Sequence, residues 1–351
     1  MSRAWMIYGA NGFSGELMSR EAHARGLTPV LAGRRAARIA PLARELGFEH
    51  RCFALDDVAA VRATMGDMAL VLNCAGPFSA TAAPMIEACL AAGTHYLDIT
   101  GEISVFELAH GLDERARQAG VLLCPGVGFD VVPTDCLAAT LKHALPDASH
   151  LALGFDSKSG LSPGTARTSV EGLAHGGRIR KEGRLTRVPL AWRTRRIDFG
   201  AGEKLAMTIP WGDVATAFYS TGIANIEVYV PASPKLVARL KRLNWVRPLL
   251  GLRPVQSWLK RRVDKTVRGP SEEQRARTPS YLWGEVRNPK GEVVSGRVKV
   301  SNGYDVTVTG ALRIVVRALA MESVSGYLTP SQLVGRDYVE LLPGSGTIKL
   351  G

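Results

Sequence analysis

The chain has 351 residues, 46% of them apolar and 22% charged, with a formal net charge of +12. These proportions exclude a disordered, collagenous or low-complexity protein, and the length predicts roughly two domains at about 150 residues each. The excess charge is local: residues 235–268 carry eleven Lys and Arg against one acid, Asp264, and the remainder is near neutral, unlike a uniformly basic nucleic-acid binder.

The first element is the apolar run Trp5 to Tyr8, a strand. It stops at Gly9-Ala10-Asn11-Gly12-Phe13-Ser14-Gly15, a glycine-patterned loop, and a helix follows to about Arg25. A second apolar run, Val30 to Ala32, ends at Gly33-Arg34-Arg35. Strand, glycine loop, helix, strand is the order of a dinucleotide-binding βαβ unit. Gly9 permits the sharp turn, Gly12 a close approach to pyrophosphate, and Gly15 close packing of helix on strand. The helix N-terminus offers unpaired N–H groups to the phosphates. Asn11, Phe13 and Ser14 complete the expected cofactor loop. An NAD site places Asp or Glu about 20 residues beyond the glycines. Here no acid occurs between Glu21 and Glu45, and Arg34 and Arg35 stand at that place. Guanidinium groups match a phosphate, so the expected cofactor is NADP(H).

The alternation continues. Helices are expected over 36–46, 57–65, 82–92 and 103–119, and strands at His50 to Leu55, Met68 to Cys74, Thr94 to Ile99 and Val121 to Cys124. Near-continuous apolar strands separated by helices predict a parallel sheet covered on both faces. Near residue 131 the pattern changes. Pro133 to Leu145 reads as a connecting helix, and later runs carry hairpin signals at Lys181-Glu182-Gly183 and Asn288-Pro289-Lys290-Gly291. The expected fold is α/β: an N-terminal doubly wound parallel sheet of Rossmann type over 1–131, then a second α+β domain on a mostly antiparallel sheet over 132–305. That domain is expected to hold substrate and to form a homodimer. A C-terminal segment, 306–351, is expected to pack back on the first domain.

Loops at the carboxyl ends of parallel strands hold ligands. Ala75-Gly76-Pro77-Phe78 is expected to approach the cofactor, either as a binding loop or as a plain turn. Asp98 and Glu102 follow the fifth strand and are candidates for proton transfer or substrate orientation, with helix capping as the alternative. Gly126 and Gly128 are expected beside the cofactor, and Asp130 either faces the cleft or serves the next helix. Pro210-Trp211-Gly212-Asp213 is a candidate substrate wall. There is no Tyr-x-x-x-Lys pair, nucleophile elbow, H-E-x-x-H or P-loop lysine, and no metal is expected. The hard chemistry would fall to the cofactor. Five scattered cysteines read as small buried thiols of a reducing compartment. With no signal-like h-region and no 18-residue apolar run, the expected location is cytoplasmic.

Taken together, Gly9–Gly15, Leu31–Arg34, Asn73–Phe78, Thr94–Glu102 and Gly126–Asp135 resemble the saccharopine dehydrogenase-like oxidoreductase family. In the second domain, Gly176–Pro189, Pro210–Asp213, Ser220–Tyr229 and Thr329–Gly335 look closest to its trans-acting enoyl reductase branch. The resemblance implies a Rossmann domain, an inserted α/β substrate domain and NADP(H). It implies hydride transfer to or from a C=C or C=N bond of a small or lipid-like substrate. A non-catalytic NADP(H)-binding scaffold or redox sensor at a membrane surface is the alternative.

Residues 235–263 read as two basic amphipathic helices joined by Leu249-Leu250-Gly251-Leu252, with Trp245 and Trp258 as interfacial anchors. Three roles are open for them: covering the second sheet, peripheral contact with a membrane, or docking an acidic carrier protein.

Overall fold

The computed structural model describes residues 4–158, 163–267 and 270–351; Arg268, counted in the basic segment, lies outside them. The chain begins β1 (Trp5–Tyr8), α1 (Phe13–Ala24), β2 (Val30–Gly33), α2 (Ala36–Leu46), β3 (His50–Cys52), α3 (Val58–Met65), β4 (Leu70–Asn73), α4 (Phe78–Ala92), β5 (His95–Asp98), α5 (Ile103–Gly111), α6 (Asp113–Gln118) and β6 (Leu122–Cys124). Next come α7 (Val132–Ala144), β7 (His150–Ser157), α8 (Pro163–His175), β8 (Gly177–Lys181), β9 (Arg184–Val188), β10 (Thr194–Asp198), β11 (Glu203–Ile209), α9 (Asp213–Thr221) and β12 (Asn225–Pro231). The basic segment forms α10 (Pro234–Leu243), α11 (Arg247–Leu250) and α12 (Arg253–Thr266). Then follow α13 (Glu272–Arg277), β13 (Ser280–Arg287), β14 (Val293–Val300), α14 (Gly303–Leu319), β15 (Gly326–Tyr327), α15 (Pro330–Val334), a 3-10 turn at Tyr338–Leu341 and β16 (Lys349–Leu350).

Two compact units result: Met1–Val132 with Tyr304–Val334, and Pro133–Gly303 with Gly335–Gly351. The C-terminal segment 306–351 is therefore divided between them.

The first unit is a seven-stranded parallel sheet in the order β15-β6-β5-β4-β1-β2-β3. All four residues of β1, of β2 and of β4 are buried, as strands covered on both faces must be. Helices supply the cover with apolar stripes: α2 buries Ile39, Leu42, Ala43 and Leu46, the spacing of a single helical face. Ile39, Leu42 and Leu46 each contribute roughly 1.5–3 kcal/mol by leaving water. The helix expected over 103–119 is interrupted at Leu112, after Gly111, a weak helix former. Asp113 then bonds elsewhere, accepting from the Tyr327 N–H at 2.7 Å and so tying β15 to α6.

The second unit is a mixed sheet of nine strands, with β10-β11-β12-β7-β13-β14-β16 in order and the β8–β9 hairpin attached to β12. Every pairing is antiparallel except β12 with β7. Gly284 and Gly296 face each other across β13 and β14. A Cβ at Gly284 would lie 2.6 Å from Leu141, and one at Gly296 3.0 Å from Leu137, so the paired glycines let α7 lie close on the sheet. Ile197, Phe199, Ala206, Tyr229 and Trp283 form another cluster of this unit's core.

Candidate functional site

Strand order reverses at β1, whose two neighbours are β2 and β4. In open α/β sheets a ligand crevice forms at this switch, outside the carboxyl ends of the strands. The residues leaving β1 and β4 are pressed together there. Gly9 has φ +83°, and a Cβ on it would come within 2.8 Å of the Ala75 nitrogen. A Cβ on Gly15 would strike the Gly9 carbonyl oxygen, so α1 leaves directly from the loop. Gly12 would meet only that same oxygen, at 3.2 Å, and its outer side is open.

No side chain caps α1, and the first helical N–H bonded to a backbone carbonyl is that of Glu16, to Gly12 at 2.8 Å. The N–H groups of Phe13, Ser14 and Gly15 therefore belong to an uncapped first turn, which suits an anion. The loop is tied to β2 through the Gly9 and Ala10 N–H groups, both donating to the Ala32 carbonyl. A Cβ at Gly33 would lie 3.3 Å from the Asn11 side-chain oxygen. This brings the start of the Arg34-Arg35 pair beside the glycine loop. Both arginines are exposed, and among the described residues neither has a carboxylate within ion-pair reach. Arg34 is close enough to Tyr8 to oppose the effect of burial, which pushes that phenol up to about 12. An open glycine, an uncapped helix start and two unpaired cations fit a nicotinamide dinucleotide with a 2′-phosphate.

The loop after β4 is held by three side chains. Asn73 accepts the Ala75 N–H at 3.0 Å, and the Thr81 hydroxyl donates to the Ala75 carbonyl at 2.6 Å. Glu102 accepts the Phe78 and Ser79 N–H groups at 2.9 and 2.8 Å. Glu102 thus caps α4, in place of the helix that follows it in sequence. Gly76 is exposed, with only the Phe78 ring near its missing side chain. A ligand can approach the backbone of Ala75, Gly76, Pro77 and Phe78 from that side.

Asp98 is fully buried. Its carboxylate accepts from the Tyr96 hydroxyl at 2.6 Å, the Thr100 N–H at 3.0 Å and the Gly126 N–H at 2.8 Å. Burial pushes its pKa up to about 6, against the pull of those hydrogen bonds. Tyr96 also accepts from Asn73 at 3.3 Å, so one buried network fixes the ends of β4, β5 and β6. Asp130 is partly exposed and lies against Gly101, where a Cβ would sit 2.8 Å from its carboxylate oxygen. Burial raises its pKa to about 7. Of the three carboxylates picked out in the sequence, Asp98 and Glu102 organise loops, and Asp130 retains a surface.

Gly126 and Gly128 are buried by protein. A Cβ at Gly126 would meet Phe106 at 2.8 Å and Val131 at 2.9 Å, and one at Gly128 would meet Thr307 at 3.0 Å. Their smallness is accounted for by packing. Thr307 also accepts the Phe129 N–H at 2.9 Å, and Tyr304 packs edge-on against Phe13 with ring centroids 5.1 Å apart. Both come from α14, roughly three hundred residues along the chain. Local sequence reasoning had no signal for them beyond their shared helical face. In the second unit Trp211 is partly exposed and packs on Phe155, centroids 4.9 Å apart.

The saccharopine dehydrogenase NADP binding domain family matches residues 5–124. A Mycobacterium tuberculosis protein bearing the name trans-acting enoyl reductase is 32% identical over 185 residues, 48% of this chain and 44% of that one. A saccharopine dehydrogenase-like oxidoreductase of Rattus norvegicus is 30% identical over 153 residues, 37% of this chain and 35% of that one. The chain thus matches less than half the length of these curated relatives. The apo saccharopine dehydrogenase (L-Glu forming) of Saccharomyces cerevisiae shares the fold over 99% of both chains, at a TM-score of 0.69 and 11% identity. Residues 5–124 thus carry the match to the saccharopine dehydrogenase NADP binding domain, and the likeness of the rest of the chain to the yeast protein is one of fold.

Proposed function

We propose that the chain is an NADP(H)-dependent oxidoreductase acting on a C=C or C=N bond of a small or lipid-like substrate. The observation that carries this reading is the uncapped start of α1 beside two exposed arginines with no carboxylate partner among the described residues. The NADP-binding family match supports it, and the enoyl reductase names of relatives favour C=C over C=N. When bound, NADPH supplies hydride from nicotinamide C4.

The first turn of α1 would hold the pyrophosphate, and Arg34 and Arg35 the 2′-phosphate. The pinned backbone of Ala75–Phe78 would bear on the nicotinamide ribose. Reduction of either bond also needs a proton. Asp130 is the candidate donor: it is partly exposed, and its pKa near 7 suits general acid work at neutral pH. Asp98 and Glu102 would act by positioning.

Fluorescence titration should show NADPH binding at least about tenfold tighter than NADH, since each charge-assisted phosphate bond contributes on the order of 1.5–3 kcal/mol. Arg34→Ala with Arg35→Ala should erase most of that difference. Equal affinities in the unaltered protein would overturn the arginine argument. Turnover is sought by following NADPH absorbance with enoyl thioesters, imines and 2-oxo acids, against a Gly12→Asp control. The engagement of Asp98 and Glu102 in loop structure favours one second reading, a non-catalytic NADP(H)-binding scaffold or redox sensor at a membrane surface. Tight NADPH binding with no turnover across the substrate panel would select it.

A further inference from the structure

The apolar residues of the basic segment divide into two sets. Val237 packs with Ala191 and Met207, with Leu240 against the same cluster, so part of α10 covers the second sheet. The rest does not. Of the eleven large apolar side chains that are strongly exposed among the described residues, six lie within 236–258: Leu236, Trp245, Val246, Leu249, Leu252 and Trp258. Trp245 is 89% exposed.

Such exposure is not a consequence of a loose chain. Asn244, beside Trp245, accepts the Leu190 N–H at 2.8 Å and donates to the Leu190 carbonyl at 3.2 Å. Gln256 donates to the Leu250 and Val170 carbonyls, and Lys260 pairs with Glu171 on α8. Successive tight turns run from Trp245 to Leu252, with N–H groups of Trp245, Val246, Leu249 and Leu252 each bonded three residues back. The turns that carry Trp245, Val246, Leu249 and Leu252 are thereby held in place on the second unit.

Cations are interleaved with them along the chain. Lys235, Arg239, Lys241, Arg242, Arg253 and Lys265 are exposed, and among the described residues none has a carboxylate within ion-pair reach. Arg262 lies over the Trp258 ring, 5.7 Å from its centroid.

We propose that the α10–α12 surface docks on an anionic lipid bilayer, with Trp245 and Trp258 at headgroup depth and the lysines and arginines against lipid phosphates. Both halves of the surface argue for this occupant. Indole rings and leucines partition into the boundary between headgroups and acyl chains, and the long basic side chains reach back to the phosphates. A nucleic acid would satisfy the cations and leave Leu249 and Leu252 in water. An apolar protein groove would take the leucines and bury unpaired cations, at a large cost in desolvation. The docking is independent of cofactor binding, which belongs to the other unit.

The full chain is sedimented with vesicles of phosphatidylcholine alone or mixed with phosphatidylglycerol, at about 50 mM and about 500 mM salt. The expected result is pelleting with the anionic vesicles at low salt, a fall of at least about tenfold at high salt, and a blue shift of tryptophan emission on binding. Trp245→Ala with Trp258→Ala should lower the partitioning at least about tenfold, and Lys241→Glu with Arg242→Glu should do the same. Circular dichroism confirms folding of each variant, and an unchanged NADPH affinity separates this outcome from any failure of the cofactor reading. The proposal is overturned if the chain stays in the supernatant with anionic vesicles at low salt. It is equally overturned if neither pair of substitutions alters pelleting, or if the chain binds an acidic carrier protein and no vesicle.

Discussion

Glu102 offers a sharp test of the difference between a catalytic carboxylate and a structural one. Its two oxygens each accept a backbone N–H from the first turn of α4, at 2.9 and 2.8 Å. Hydrogen bonds to a charged group contribute about 1.5–3 kcal/mol at most, but Ser79 is exposed, so water replaces part of what is lost. About 1 kcal/mol for the cap and up to about 1 kcal/mol for a negative charge at a helix N-terminus give about 2 kcal/mol for Glu102→Ala. Glu102→Gln keeps one good acceptor and loses the charge, and should cost about 1 kcal/mol. For a unit of this size each kcal/mol lowers the unfolding midpoint by about 2–4 °C. Thermal denaturation followed by circular dichroism should then show a fall of about 4–8 °C for alanine and about 2–4 °C for glutamine. The loop that Glu102 steadies is the one expected against the nicotinamide ribose, so NADPH affinity should weaken by less than about tenfold, with turnover in proportion. An unchanged midpoint together with a collapse of turnover by about a thousandfold would refute the reasoning and make Glu102 a participant in proton transfer.

Asp98 and Asp130 have folded pKa values of about 6 and about 7, both raised by burial above the ordinary aspartate value of 3.8. A raised pKa confers stability that is complete below the unfolded value and lost as pH climbs through the folded one. The unfolding midpoint should therefore decline from pH 5 to pH 8, and Asp130→Asn should flatten that decline and exceed the unaltered protein in stability at pH 8 by about 1–3 kcal/mol. Identical pH profiles for the two proteins would dismiss the burial argument. Gly126→Ala places a methyl group 2.8 Å from Phe106 on a backbone with φ +78°, and should cost about 2–4 kcal/mol in a urea titration. A cost below about 1 kcal/mol would mean that the loop relaxes freely and that Gly126 is free for another role.

The buried strands of the first sheet were legible because nothing else explains runs such as Trp5 to Tyr8 and Met68 to Cys74, apolar at nearly every position and followed closely by glycine. Their loops were legible for the same reason, since glycines at strand ends point to close approach. Partners distant in sequence were not legible. Glu102 read either as a proton-transfer or substrate-orienting group or as a cap for the helix it precedes, and it caps α4 because the β5 and β4 ends lie side by side in the parallel sheet. Gly128 looked like a cofactor contact, and the space beside it is filled by Thr307, which no local pattern brings there. In α10 the apolar spacing marked an amphipathic helix correctly, but Val237 and Leu240 face the sheet and Leu236 faces water. Spacing gives the angular position of a side chain and not which side of the helix finds a neighbour. Cys52 differs from the other cysteines for a related reason: β3 is the edge strand, so its side chains are left partly uncovered.

The NADP-binding unit is assembled from two lengths of chain that are far apart. Its seventh strand, β15, and the helix carrying Val306, Leu312, Ile314 and Val315 into its core arrive only after eight of the nine described strands of the second sheet, β7 to β14, have been threaded. During synthesis the six earlier strands wait with the β6 edge open and an apolar face uncovered, an arrangement prone to pairing with other chains. A fragment ending near residue 131 inherits that condition permanently. Preparations of the isolated nucleotide-binding segment should aggregate, whereas a circularly rearranged gene that joins residues 304–334 directly to 4–132 should yield a unit that folds alone.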